Sequence, residues 1–381
     1  MSETGSPRAI AEESTRRRPL RTGDVTWNIV ISLLILGVVL IFAGPQRPLW
    51  IDELLHFATG AMSLPDVLRT IDYTTIEINH GQTGVYILLD WFFLQFFGAS
   101  AIALRLPSLI ASVVLLWSAV LFIKSRQLGR FWQLLVVVVL VSQYALMSFT
   151  ADARPYMPLA ASAVAMTTFF SVPISERKSA VYRLLGIFGV LIGSVMQAYW
   201  IFFLMLAVAF GVLVQYLQGE RWHGFRQFLS SISPMFVATG ITLYLIVGQL
   251  TWMRRAAQFT YEPFAMIGGS DRAIRIFFSH HFTSGSPVLF WLALGGLILA
   301  VLGLAKRAWR RWLAPLVLLG LAVGSSIGLS LLSISRGYWV FDRQWVAGMA
   351  LSAIAMTWLV GEIWRIPSRV PALQHVVVGG F

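Results

Sequence analysis

The chain has 381 residues, 57% of them hydrophobic and 12% charged, with a mean hydropathy of +0.74. Water-soluble folds do not carry such a composition, because apolar runs as long as 27–43 need lipid or a very large core. The net charge of +12 invites a nucleic-acid reading, but most basic residues sit in short runs between apolar segments, as in membrane loops, so no nucleic-acid partner is expected.

Taken in chain order, residues 1–26 form a basic tail with Arg16, Arg17, Arg18 and Arg21, expected on the cytoplasmic side. The apolar run 27–43 lacks an Ala-x-Ala-like cleavage site after it, so it reads as a retained helix rather than a removed signal peptide. Further spans are expected near 103–123, 131–149, 157–174, 184–198, 200–217, 232–249, 287–304, 313–332 and 344–362. These make an all-α membrane domain over 27–364, with about ten spans and a cytoplasmic tail at 365–381. The uncharged run 184–217 lies between Arg183 and Arg221, and two short passes turning near Gln197 to Trp200 keep both flanks on one side. The 13-residue segment 85–97 contains Asp90 and is too short to span, so it is expected to be interfacial or re-entrant.

This arrangement puts 19 of 29 basic residues inside, including all three lysines, and both termini in the cytoplasm. The outside cations are all arginines, among them Arg105, Arg154, Arg336 and Arg343. Their planar forks suit phosphate or carboxylate, although a general scarcity of lysine gives the same split.

The outer loops hold the residues that could do chemistry. The long loop 44–102 contains amphipathic pieces: Leu54, Leu55 and Ala58 beside Asp52, Glu53 and His56, then Ser63 and Asp66 in a capping-box pattern. Adjacent carboxylates on a helix point about 100° apart, so one of Asp52 and Glu53 faces any given site. Their alternative role is stabilising a helix N-terminus. In the next outer loop, Asp152 and Arg154 stand two apart before Tyr156, either as a surface pair or as a seat for metal, phosphate or sugar. His280 and His281 lack metal-motif spacing and are expected to be structural or solvated. With no cysteine in the chain, disulfides are excluded and a metal would need His or carboxylate ligands.

In this order the motifs resemble the GT-C superfamily of membrane glycosyltransferases, which includes protein O-mannosyltransferases and enzymes that add aminoarabinose or galacturonic acid to lipid A. Asp52-Glu53 resembles the acidic pair after the first helix. Asn79-His80, Tyr86, Phe97-Gly98 and Arg105-Leu106-Pro107-Ser108 resemble the following stretch, although Gly81-Gln82 replaces two prolines. Asp152-Ala153-Arg154-Pro155-Tyr156 resembles the second acidic motif, and Arg343 an arginine opening a late helix.

The resemblance implies an inverting transfer from a polyprenyl-phosphate sugar to an envelope acceptor (lipid, polysaccharide or protein) on the extracytoplasmic face of the plasma membrane. It assigns the acidic pair Asp52 and Glu53 to catalysis, with Asp52 as the base. Arg154, Arg336, Arg343 and Tyr156 are assigned to the donor phosphate, with His80, Asp152 and Arg105 nearby. A divalent cation is possible, with Asp152 and His80 as its candidate ligands. A transporter or flippase of lipid-linked sugars, or a non-catalytic lipid-binding scaffold, are the alternatives. The expected spans hold almost none of the midplane charges that transporters use.

Overall fold

The computed structural model describes residues 22–44, 48–70, 85–177, 179–196, 200–217, 262–283, 309–335 and 340–365, with isolated positions between 287 and 298. The expected span 232–249 and most of 287–304 lie outside the described residues, as do the turn at 197–199, His80 and Arg336. Among the described residues the chain is helical and has no strand.

We number the α-helices in chain order. They are α1 (Thr22–Phe42), α2 (Ile51–Gly60), α3 (Leu64–Thr70), α4 (Val85–Phe97), α5 (Ala101–Ser125), α6 (Arg130–Ser142) and α7 (Tyr144–Met147). The rest are α8 (Tyr156–Ser171), α9 (Ile174–Arg177), α10 (Ala180–Met196), α11 (Trp200–Leu217), α12 (Ser270–Phe278), α13 (Trp309–Ser335) and α14 (Val346–Trp364).

Among the described residues, four segments are long and apolar enough to cross a membrane: Asp24–Phe42, Ala101–Ser125, Arg311–Ser335 and Asp342–Trp364. In α1, Ile31, Ile35 and Val39 recur every fourth residue and are buried, while Ile29, Leu33, Leu40 and Ile41 are exposed. A helix apolar on both faces needs a nonpolar medium outside as well as a partner inside. It starts at Thr22, within the stretch read as a polar tail.

The expected continuous span 131–149 is instead broken. Helices α6 and α7 meet at 75°, and Gln143 between them leaves the helical region at ψ 80°. Ser142 and Gln143 interrupt the apolar run at the bend, but two polar residues within a long apolar stretch do not give a change of direction. Beyond it, a 3-10 turn (Ser148–Ala151) lets Thr150 reach Ser112 of α5 at 3.0 Å.

Helix α8 is buried along its whole length, packed by α5, α10, α11 and α14. Small residues allow this crowding: Ala160, Ala161, Ala163 and Ala165 lie on α8, and glycines face it from its neighbours. A Cβ on Gly211 would fall 2.5 Å from the Phe170 carbonyl oxygen, and one on Gly189 2.6 Å from Met166 Cγ.

The basic loops meet at one end of the bundle. Arg126, at the C-terminus of α5, donates to Ser171 O at 2.8 Å, Arg365 donates to Arg126 O at 3.0 Å, and Arg130 pairs with Asp24 at 3.3 Å. Arg105 lies near the other terminus of α5, and about 20 residues of helix place it roughly 30 Å from Arg126. The acidic motifs gather around Arg105.

Candidate functional site

The site is built on the first two turns of α5. Ser100 caps this helix, accepting the Ala103 N–H at 3.2 Å. Arg105 then projects one turn in and donates from Nε to Glu53 Oε1 at 2.9 Å and from Nη2 to Glu53 Oε2 at 2.7 Å. This bidentate pair is fully enclosed. Glu53 also accepts the Ala153 N–H at 3.0 Å and the Trp50 N–H at 3.3 Å, so one carboxylate ties α2, α5 and the Asp152–Arg154 loop together. Burial pushes the Glu53 carboxyl upward. The hydrogen bonds from Arg105 and Ala153, with the Arg105 charge, outweigh it and hold the group below its ordinary value.

One turn further along α5, Ser108 Oγ lies 2.6 Å from Asp152 O, 3.3 Å from Arg154 O and 3.1 Å from Tyr86 Oη. The Arg-Leu-Pro-Ser motif is thus a bracket. Its arginine positions the first acidic motif and its serine positions the backbone of the second.

Asp52, next to Glu53, turns to different surroundings. It keeps 30% of its side-chain exposure, and its Oδ2 lies 2.7 Å from Arg154 Nη1. Arg154 therefore pairs with the first loop rather than with its near neighbour Asp152, which is buried. Arg154 itself is 94% buried. Neither its Nε nor its Nη1 makes a well-aligned hydrogen bond; the Asp52 contact is one of charge at close range.

Beside the Asp52–Arg154 pair lies a cavity of about 230 Å³, lined by Trp50, Ser148, Phe149, Asp152, Arg154, Tyr156, Asp342 and Arg343. That is below the roughly 300–1,000 Å³ of sites for whole drug-sized ligands, so it suits one small polar group. The Arg154 guanidinium lies 5.2 Å from the Tyr156 ring and 5.5 Å from the Trp50 ring. Arg343 sits in a 3-10 turn (Asp342–Trp345) leading into α14, 5.5 Å from Tyr156 and 3.9 Å from the Phe341 ring. Two guanidinium groups thus flank one aromatic ring at a cavity wall. Only Arg154 has a carboxylate at ion-pair distance among the described residues. Asp152 and Asp342 line the same cavity, so its wall carries two cations and two carboxylates.

Of the expected site residues, Asp52, Arg154, Tyr156, Asp152 and Arg343 come together here, with Glu53 and Arg105 behind them. Among the described residues no group of three His, Asp or Glu side chains could hold a metal ion. Asp152 has its expected co-ligand, His80, outside the described residues. His281 is buried between Phe277 O and Ser326 Oγ, in the structural role expected of it.

Sequence reasoning missed one pair. His56 Nδ1 lies 2.7 Å from Asp90 Oδ2, joining α2 to α4 in a buried contact against the edge of Tyr86. Burial raises the Asp90 carboxyl and the His56 hydrogen bond and charge pull it back only partly, leaving it at about 7. A single acid inside the apolar run 85–97 was the available signal.

No protein-family model, curated protein or solved structure matches this chain.

Proposed function

We propose that the chain is a GT-C-like membrane glycosyltransferase that moves a sugar from a polyprenyl phosphate to an envelope acceptor, with inversion at the anomeric carbon. The observation that carries this reading is the meeting of Arg154, Tyr156 and Arg343 at one small cavity, with Asp52, from a third part of the chain, paired to Arg154. The motif order is the second support. Localisation in the plasma membrane with both termini cytoplasmic follows from the positive-inside count and is consistent with the basic loops meeting at one end.

In this reading Asp52 accepts the proton of the acceptor hydroxyl as its oxygen attacks the anomeric carbon. The bond from that carbon to the phosphate oxygen breaks, and the phosphate leaves with the electron pair. Arg154 and Arg343 neutralise the charge that develops there, in surroundings from which the protein excludes much of the water. Trp50 and Tyr156 offer flat apolar faces beside the cations. Glu53 holds the geometry from behind, bound to Arg105.

The clamp is tested by Arg154→Lys and Arg343→Lys in purified protein reconstituted in lipid. Lysine keeps the charge but not the fork, so each variant is expected to bind polyprenyl-phosphate sugar about tenfold more weakly or worse. Lysine variants that bind and use this donor as the parent does would contradict the phosphate-clamp role.

A further inference from the structure

We infer that Asp52 has a second role, as a resident competitor for the phosphate seat: it occupies Arg154 until the donor phosphate displaces it, and is released as a base by that exchange. The inference rests on the donor class proposed above.

Three observations carry it. The Asp52–Arg154 contact is 2.7 Å, so the base and the phosphate-binding cation are joined. Arg154 is 94% buried, and a guanidinium so enclosed needs a counter-charge at all times. Asp52 supplies it in the ligand-free site, and an entering phosphate would supply it afterwards. The contact is also the kind that exchanges. Asp52 is 30% exposed, and Nη1 of Arg154 makes no aligned hydrogen bond to it, so a better-aligned phosphate can take its place.

Geometry then requires the exchange. In an inverting displacement the base and the leaving phosphate lie on opposite faces of the sugar. A base within hydrogen-bond reach of a nucleophile at attacking distance lies roughly 6–7 Å from the leaving oxygen. An Asp52 carboxylate and a phosphate on the same edge of Arg154 would leave no room for the sugar between them. Opening the pair thus couples donor binding to the freeing of the base.

The consequence is unusual in sign: removing the base should strengthen binding of the leaving group. The experiment measures equilibrium binding of sugar-free polyprenyl phosphate to the full chain in lipid nanodiscs, for the parent, Asp52→Asn and Asp342→Asn. Asp342 lines the same cavity without pairing to Arg154, and its Asn variant controls for simple loss of negative charge. The expected result is binding about fivefold tighter for Asp52→Asn than for the parent, with Asp342→Asn changing much less. Asp52→Ala serves the same purpose if the Asn variant folds poorly. Equal or weaker binding by both Asp52 variants overturns the competitor role while leaving the donor reading standing. Equal tightening by Asp342→Asn also overturns it, because the effect is then charge alone. A parent that binds no polyprenyl phosphate overturns the donor reading, and this inference with it.

Discussion

Asp52 and Glu53 are neighbours of the same chemical type, yet the fold gives them opposite work. Glu53 is closed off with the Arg105 guanidinium and two backbone N–H groups, whereas Asp52 stays half-open beside Arg154. A buried pair broken on one side leaves an uncompensated charge, at a cost of about 3–5 kcal/mol, and the cost is smaller where one partner still meets water. Glu53→Gln should therefore lower thermal stability in detergent more than Asp52→Asn does, because Glu53 holds Arg105 and two backbone N–H groups where Asp52 holds Arg154 alone. A Glu53→Gln protein as stable as the parent would contradict the anchoring role. The helical angle between adjacent residues told from sequence that one acid would face away. It could not tell which, because the answer depends on Arg105, 52 positions further along.

At the scale of elements, the site end is a set of short helices held by point contacts on one long one. Helix α2 is gripped by Glu53–Arg105 towards α5 and by His56–Asp90 towards α4. The α4 boundaries and the short α3 were legible from the apolar run 85–97 and from Ser63, whose hydroxyl contacts Asp66 at 2.5 Å. The His56–Asp90 clamp was not legible, because a single histidine and a single aspartate 34 residues apart carry no spacing signal. Nor was the break at Gln143, since hydropathy does not register backbone direction. The clamp predicts a pH dependence. With its folded-state value raised to about 7, Asp90 keeps its proton in the folded chain at pH values where the unfolded chain has already lost it. The stabilising contribution is thus full in acid and declines as pH rises, levelling off above about 7. Asp90→Asn cannot ionise, so the melting temperature of the parent minus that of Asp90→Asn should fall between pH 5 and pH 7.5. A difference that stays constant or rises over that range would contradict it.

For the whole molecule, composition announced a helical, lipid-embedded chain, and the described residues supply four segments able to span by length and composition, or five if the bent pair counts as one. The full set of ten expected spans belongs with the proposal. Long-range order is imposed by α8, whose alanines and glycine-bearing neighbours let α5, α10, α11 and α14 close around it. Its first residue, Tyr156, stands at the cavity between two arginines, so the central packing helix also delivers the site. Motif order in the sequence pointed to these residues as a group, but their convergence needs the chain folded. The central claim is that this convergence performs sugar transfer with Asp52 as base. Its most direct test is transfer from a polyprenyl-phosphate sugar by reconstituted parent and Asp52→Asn protein, with folding and donor binding checked on the same samples. The account predicts a folded, donor-binding Asp52→Asn protein whose transfer falls about a hundredfold or more; a stable, donor-binding Asp52→Asn protein with near-parent transfer would contradict it.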